Sequence, residues 1–427
     1  MSAPTCTILS LPNELLVTIA VAGQEDRIAD LNLETQSASF KSEWTLSHVS
    51  QCFRDIILGA SELWTLIETD FGSEGSMEIL KLYLERSRAR QISVTLRQLS
   101  ESDMLEIGLE DRVTGSIVPQ INRIRWLRIV LIDTEHPEIL APFRDVAAPC
   151  LQHLEIVYTK YNVTVDAGAL FLYGAPRLSS LKIDGFTHRL LSPVWTATLT
   201  HLDYGANDPD IHNLAVITAQ CPLLTHLHLH VAYVASDATR FHIPTLSFLH
   251  ISIGEDEPAD YLSRVVDLFH SPALTELIIH GSHGDQIALL LSLKSLPHSS
   301  FPSVTSLTFL TGSCACYPSD GNRPSHPISC PPDVFPALSH LTLINQCLTE
   351  HLIQEMLGPA SQPWPLLKVI TLGMKNDSLG GVRDALEDVV NSKRQRGEPL
   401  PKVQLLRAPA SIENWSEDSS WDAEMSW

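Results

Sequence analysis

The chain has 427 residues, of which 44% are hydrophobic, and a formal net charge of −21 at pH 7 from 29 basic and 50 acidic residues. A chain of this length exceeds the usual size of one hydrophobic core, which indicates several domains or a repeat array. The negative charge argues against nucleic acid and anionic membrane surfaces as partners, because both require clustered lysine and arginine.

The eight cysteines are too sparse and irregular for a disulfide framework, which predicts a reducing compartment, cytoplasmic or nuclear. No apolar run is long enough to cross a membrane, and the N-terminus lacks the basic region of a signal peptide. We therefore expect a protein that is neither membrane-spanning nor secreted.

Three short apolar segments lie within the first seventy residues. The first, LPNELLVTIA, predicts an amphipathic helix, because Pro12 suits the first turn and Glu14 complements the positive helix end. The second begins at Trp44 and carries apolar residues at helical spacing: Leu46, Val49, Cys52, Phe53, Ile56 and Ile57. The third is SELWTLI. A helical set this small has little core of its own, which is common in modules completed by a partner.

These three segments together resemble the F-box domain, in the form found in fungal (basidiomycete-type) F-box proteins with a C-terminal leucine-rich-repeat-like solenoid. The resemblance implies a helical module at 1–70, with an insertion at 21–43, that binds a Skp-type adaptor and through it a cullin. The positions that it assigns to adaptor binding are Leu11, Pro12, Glu14, Leu15, Ile19, Leu46, Val49, Phe53, Leu63 and Trp64. The alternative is that these helices only cap the end of the repeats.

Residues 71–116 are predicted to connect this module to the repeats. Apolar residues at helical spacing follow Met77, the segment 92–96 alternates as a strand does, and the acidic segment 101–115 favours a helix. The segment is therefore expected to be a junction of connector helices.

From residue 117 onward one phrase recurs, in which a proline is followed by apolar residues two, five and seven positions later. Its template is CPLLTHLHLH, with Pro222, Leu224, Leu227 and Leu229. Further copies begin at Pro149, Pro176, Pro244, Pro272, Pro302, Pro336 and Pro365. Copies without the proline or with weaker matches lie at Leu199–Leu202–Tyr204, at Ile124–Leu127–Ile129, and near Pro401 with Val403 and Leu406.

The last two apolar positions are two residues apart, so they share one face of a short strand. Because one such unit cannot bury its apolar face alone, neighbouring units must stack. The sequence therefore predicts an α/β repeat fold, with an irregular leucine-rich-repeat-like solenoid at 117–408 and a parallel concave sheet, but without the asparagine ladder of the standard motif. The acidic tail at 409–427 has no periodicity and is predicted to be disordered, or to dock on another surface.

Alternation places the residues before, between and after each apolar pair on the concave face. Eight of the 18 histidines fall there: His153, His201, His226, His228, His230, His250, His280 and His340. The substrate-binding residues predicted from this pattern are His201, His226, His228, His230, Phe248, His250, Ile278 and His280. This face either recognises a partner and changes charge near neutral pH, or simply reflects how well histidine suits a half-exposed strand.

Metal binding stays open at two places, although neither carries a standard pattern. His226, His228 and His230 share a face, but no carboxylate or cysteine motif lies near them in the sequence, so no metal site is predicted there. The segment 311–332 contains Cys314, Cys316, His326 and Cys330, in a spacing that matches no standard zinc finger.

No phosphate-binding loop, dinucleotide fingerprint, nucleophile elbow or zinc-hydrolase helix occurs, so neither an enzyme nor a cofactor is expected. The expected function is that of a substrate-recognition subunit of a Skp–cullin–F-box ubiquitin ligase, with an unknown protein substrate on the repeats. The alternatives are a repeat-based scaffold without a link to ubiquitin and a receptor for a small molecule or glycan.

Overall fold

The computed structural model describes residues 11–31, 42–70, 74–98, 109–131, 137–158, 168–186, 193–206, 211–231, 240–254, 258, 260–282, 286–287, 290, 301–310, 334–344, 364–374, 379–397, 401–407 and 423–426. The chain divides into two compact units: unit 1 comprises Met1–Lys160 and Ala167–Leu178, and unit 2 comprises Tyr161–Asp166 and Ser179–Trp427. Both are α/β. Among the described residues, no helix has the length and apolar character needed to cross a membrane.

Unit 1 joins N-terminal helices to a parallel sheet. Its helices are α1 (Asn13–Leu31), α2 (Ser42–Ser47), α3 (Gln51–Gly59), α4 (Glu74–Arg86) and α5 (Leu109–Ile117), with 3-10 helices at Ser61–Trp64, Val118–Arg123 and Pro137–Phe143. Its strands are β1 (Leu66–Asp70), β2 (Ile92–Arg97), β3 (Ile124–Leu131) and β4 (His153–Tyr158), paired in parallel in this order.

The sheet of unit 1 begins earlier than the sequence predicts. β1 lies in the segment assigned to the helical module and β2 in the connector, so two parallel strands precede residue 117. The division between the two units lies near residues 160–178. Neither early strand carries the proline phrase. The alternation at 92–96 nevertheless predicts a strand, which β2 confirms, whereas β1 was not predicted.

The N-terminal helix starts where the sequence predicts but extends further. The amide groups of Leu15 and Leu16 donate to the carbonyl of Pro12, at 3.0 and 3.2 Å, which closes the first turn of α1. The helix runs on to Leu31, into the predicted insertion, because residues 21–31 contain no proline and only one glycine. Helix α3 is capped by Ser50, whose hydroxyl accepts a hydrogen bond from the Phe53 amide at 3.2 Å.

Two polar residues within the predicted insertion lie in the core of unit 1. The buried Gln24 amide donates at 2.9 Å both to the buried Glu43 carboxylate and to the Leu63 carbonyl. The Tyr83 hydroxyl also donates to Glu43 and accepts a hydrogen bond from the Trp44 indole at 3.1 Å. This network ties α1 and α2 to α4, so residues 24 and 43 are structural parts of the module.

Unit 2 is built on parallel strands in chain order. They are β5 (Ser180–Asp184), β6 (His201–Ala206), β7 (His226–Val231), β9 (Phe248–Ile253), β11 (Glu276–His280), β12 (Ser306–Leu310), β13 (His340–Ile344), β14 (Val369–Met374) and β15 (Lys402–Arg407). The short strands β8 (Phe241–His242) and β10 (Phe269–His270) form a separate parallel pair. Its helices are α6 (Pro193–Thr196), α7 (Ile211–Gln220), α8 (Tyr261–Asp267) and α9 (Leu379–Arg396). This order is consistent with a repeat-like solenoid.

The C-terminal tail departs in part from its prediction. Within 409–427, Ala423–Ser426 forms β16, which pairs antiparallel with β15. The other residues of the tail lie outside the described part of the chain. The observed pairing favours the docking alternative for this short stretch.

The recurring proline lies in a tight turn that precedes each strand. In the template, the Leu224 amide donates to the Cys221 carbonyl at 3.1 Å, with Pro222 at the second position of the turn, where its fixed φ is favourable. The same bond joins Leu178 to Ala175 at 3.0 Å and recurs in the other copies. The phrase is thus a turn followed by a strand whose paired apolar residues are buried, as predicted.

The last copy of the phrase is shifted relative to its prediction. Val403 pairs with Ile370 and Leu405 with Leu372, and all four side chains are buried. The buried pair of β15 is therefore Val403 and Leu405, and Val403 occupies the strand position that the phrase assigned to Leu406. The shift arises because Pro401 lies two residues before the first buried strand position, whereas the proline of the other copies lies five residues before it.

A ladder of hydroxyl side chains joins successive strands of unit 2 at the residue just before each strand. The residue just before six successive strands is serine or threonine, and its hydroxyl donates at 3.0–3.2 Å to the main-chain carbonyl of the equivalent residue one repeat earlier. The six donors are Thr200, Thr225, Ser247, Thr275, Thr305 and Ser339, and Ser179 supplies the first acceptor carbonyl. The sequence analysis missed this position, although an alignment of the copies contains the signal.

The Thr225→Val variant is expected to lower the free energy of unfolding by about 1–2 kcal/mol, because it removes the hydroxyl's bonds to the Thr200 carbonyl and to His226 Nδ1 and preserves the branched shape. The urea midpoint, followed by circular dichroism, measures the change. Thr18→Val is the matched control, since its hydroxyl bond to the Glu14 carbonyl is exposed. An equal loss in both variants would contradict a specific role for the ladder.

Candidate functional site

The residues that alternate with the buried apolar pairs of unit 2 form one face of its sheet, which we call the polar face. Its first row contains His201, His226, Phe248 and Glu276; its second row contains Asp203, His228, His250 and Ile278; its third row contains Gly205, His230, Ser252 and His280. Parallel pairing in register brings these residues side by side, although about twenty to thirty residues of chain separate the members of a row.

The first row is a stack of rings. The His201 and His226 ring centroids lie 4.2 Å apart at 12°, and those of His226 and Phe248 lie 5.5 Å apart at 28°. The hydroxyls of Thr200 and Thr225 lie 2.8 and 2.9 Å from the Nδ1 atoms of His201 and His226. Because each hydroxyl donates its one hydrogen to a carbonyl, Nδ1 must be the donor to the hydroxyl, which leaves Nε2 as an acceptor.

Asp203 is the charged centre of the polar face. Its carboxylate oxygens lie 3.4 Å from His228 Nδ1, 3.7 Å from His230 Nε2 and 3.7 Å from Lys182 Nζ. Burial raises the pKa of Asp203, but the hydrogen bond to His228 and the charges of His228, Lys182 and His230 outweigh burial, so the pKa is lowered overall. The carboxylate is therefore ionised at neutral pH.

A second stack joins the Asp203 centre to the next strand. The His228 and His250 ring centroids lie 3.9 Å apart at 5°, and His228 Nε2 lies 3.3 Å from Ser252 Oγ. Burial, with the charges of His228, His280 and His230, lowers the pKa of His250 to about 2. The Nε2 atom of His250 is buried and has no hydrogen-bond partner among the described residues.

The pKa values of His201, His226 and His230 are also lowered, in each case mainly by burial. These three residues and His250 therefore lose their positive charge at a lower pH than an unperturbed histidine does. These shifts argue against a charge change near neutral pH at His230 and His250, whose pKa values fall to about 4 and about 2. The lowered pKa values favour the neutral form of all four rings at pH 7.

The other residues predicted for this face differ in exposure. His280 is half-buried, with its ring centroid 6.2 Å from that of His250, and Phe248 is half-buried. Ile278 is only 4% exposed and packs with Leu310 and Ile344, against which Phe248 also packs. The prediction that Ile278 offers an apolar contact to a partner is therefore wrong, because its neighbours cover it.

Two further histidines of the predicted set lie away from this cluster. The ring of His153, in unit 1, stacks on Trp126 at 4.6 Å, and His340 is exposed at the start of β13. The cysteines and histidine of the segment 311–332 (Cys314, Cys316, His326 and Cys330) lie outside the described residues.

The residues that the resemblance assigns to adaptor binding divide into two groups. Leu15, Ile19 and Val49 are exposed by 49%, 54% and 61%, Pro12 and Glu14 are exposed, and Leu11 and Leu46 are half-buried. In contrast, Phe53, Leu63 and Trp64 are buried. Only the first group offers a surface; the second holds the helices together.

Asp203 is the residue whose role the sequence analysis missed. The sequence shows no carboxylate close to the run of histidines at 226–230, yet the register of β6 and β7 places Asp203 opposite His228. This proximity could have been predicted by aligning the copies on their buried pairs, because Asp203 and His228 both lie between the paired apolar residues of their strands.

No protein-family model matches the chain, and a search of curated proteins finds no match. The F-box resemblance therefore rests on the motif residues of the first seventy positions. The structure shows an α/β chain with long parallel sheets, consistent with a repeat-like solenoid.

Proposed function

We propose that this chain is a substrate-recognition subunit of a Skp–cullin–F-box ubiquitin ligase. In this proposal the N-terminal helices bind a Skp-type adaptor, and the polar face of unit 2 binds a protein substrate. The observation that carries the proposal is the motif of residues 11–64 together with the exposed apolar side chains on its helices. The contribution of the chain is proximity, since it brings a substrate close to a ubiquitin carrier.

The exposed apolar residues of α1 support a binding surface there. Leu15 and Ile19 are one helical turn apart and share one face, while Leu16 and Ala20 are buried on the other side. Val49 lies just after α2, which packs against α1. Covering an exposed leucine, isoleucine or valine contributes roughly 1.5–3 kcal/mol, so three such residues can provide a substantial part of the binding free energy.

The polar face supports substrate recognition by a protein segment. Its stacked rings offer flat surfaces, and the Nε2 atoms of His201 and His226 offer acceptors to donor groups of a partner. The substrate-contacting residues proposed here are His201, His226, His228, His230, Phe248, His250 and His280. Acidic residues flank them, which favours a basic or donor-rich segment of the substrate.

The Leu15→Asp variant is expected to weaken adaptor binding by at least about 30-fold, since a charge in a desolvated interface removes 2 kcal/mol or more. The measurement is the dissociation constant for a purified Skp-type adaptor, determined by calorimetry on the full chain. Leu223→Asp is the matched control, because Leu223 is 53% exposed and lies outside the motif. Circular dichroism confirms that both variants are folded.

Adaptor binding that survives Leu15→Asp, or that Leu223→Asp weakens equally, contradicts the proposed surface. A folded wild-type chain that binds no adaptor contradicts the ligase proposal itself. That second outcome favours the alternative function, a repeat-based interaction scaffold without a link to ubiquitin.

A further inference from the structure

Three potential metal ligands converge at the Asp203 centre of the polar face. One atom each from Asp203, His228 and His230 can be chosen so that all three lie within 4.8 Å of one another. His228 Nδ1 and His230 Nε2 approach different oxygens of the same carboxylate, at 3.4 and 3.7 Å. Adjacent strands hold these residues, so their main-chain positions are set by the ladder of β6 and β7.

These separations suit a tetrahedral ion. Zinc binds histidine nitrogen at about 2.0–2.1 Å and carboxylate oxygen at about 2.0–2.2 Å, which places neighbouring tetrahedral ligands roughly 3.3–3.5 Å apart. The two observed nitrogen–oxygen distances are close to this value, and the three ligand atoms lie within 4.8 Å of one another, so side-chain rotation can bring them around an ion. Two imidazoles and one carboxylate are also a ligand set that zinc and its neighbours in the transition series accept.

The surroundings orient the ligands. His228 Nε2 lies 3.3 Å from Ser252 Oγ, so this hydrogen bond can hold the outer nitrogen while Nδ1 turns to the ion. The ring of His250 stacks on His228 at 3.9 Å and fixes the plane of the ligand. Lys182 opposes binding, because its ammonium group lies 3.7 Å from the carboxylate oxygen that also faces His228.

We propose that Asp203, His228 and His230 form a binding site for a divalent transition-metal ion of the zinc type. Three protein ligands leave a fourth coordination position open. The carboxylate is 24% exposed and His230 48% exposed, so that position is accessible from solvent. A histidine, cysteine or carboxylate of a bound partner can therefore complete the coordination.

The test is titration of the metal-free full chain with Zn²⁺ by calorimetry, and with Co²⁺ by visible absorption. One equivalent is expected to bind at this site, and Asp203→Asn, His228→Ala and His230→Ala are each expected to weaken binding by at least about tenfold. The nearly isosteric Asp203→Asn keeps the fold, and circular dichroism verifies it. Lys182→Met is expected to tighten binding several-fold, because a competing cation is removed.

His242→Ala provides the matched control, since His242 stacks on His270 at 5.1 Å in another sheet and belongs to no proposed ligand set. A Co²⁺–thiolate charge-transfer band reports separately on any ion held by cysteine. Undiminished binding in Asp203→Asn and His230→Ala overturns the proposal, as does the absence of binding by the wild-type chain at millimolar Zn²⁺. Neither result bears on adaptor binding, so the two proposals fail independently.

Discussion

The Trp64→Ala variant is expected to lose about 3–5 kcal/mol of unfolding free energy, the range for removing a large aromatic side chain from a core. Trp64 is fully enclosed in unit 1, where its indole nitrogen donates to the Ile57 carbonyl at 3.0 Å. Its ring meets the edge of Tyr83 at 5.0 Å and lies 5.0 Å from the guanidinium carbon of Arg86. The substitution removes all three contacts and leaves a cavity that the rigid neighbours cannot fill.

The urea midpoint by circular dichroism measures this loss, and hydrogen exchange at the amides of β1 locates it. Tyr173→Ala serves as the control, because Tyr173 is also a large aromatic residue of unit 1 but is exposed. A shift of less than about 1 kcal/mol for Trp64→Ala would contradict its role in the core. For the same reason, adaptor binding is better tested at Leu15 than at Trp64, whose loss disturbs the whole module.

The Gly281→Ala variant is expected to destabilise unit 2 by about 3 kcal/mol or more. Gly281 has φ +81°, a region that residues with a side chain adopt at a cost of roughly 1–3 kcal/mol. An added Cβ would also overlap the main-chain carbonyl oxygen of Ile253 on the neighbouring strand. Since the main chain cannot move aside as a flexible side chain can, the end of β11 must shift. This shift weakens the hydrogen bond that the Gly281 amide donates to the Leu310 carbonyl at 2.9 Å.

Gly397→Ala separates the two causes, because Gly397 has φ +69° but no atom stands within 4 Å of the position of an added Cβ. This control is expected to cost only about 1–2 kcal/mol, the price of the backbone conformation alone. Equal urea midpoints for the two alanine variants would show that the Ile253 carbonyl exerts no steric effect.

The repeats of unit 2 could be predicted from the sequence because their cause is local. A proline turn precedes two apolar residues that alternate with polar ones, and this pattern determines which side chains of a strand are buried. Leu227 and Leu229 are buried as predicted, and the histidines between and around such pairs lie on the opposite face. The strand predicted at 92–96 is confirmed as β2, but the prediction failed at β1, where the phrase is absent, and at Val403 and Leu405, where it is displaced.

The alternation within each strand and the amphipathic start of the first helix follow from the sequence alone, because both are local patterns. Which residues of different strands lie side by side cannot be derived in this way, because it depends on the register between strands that are far apart in the chain. Register places Asp203 beside His228 and His230, covers Ile278 with Leu310 and Ile344, and lines up the hydroxyl ladder. Likewise, helix packing rather than motif spacing buries Trp64 and leaves Leu15 exposed.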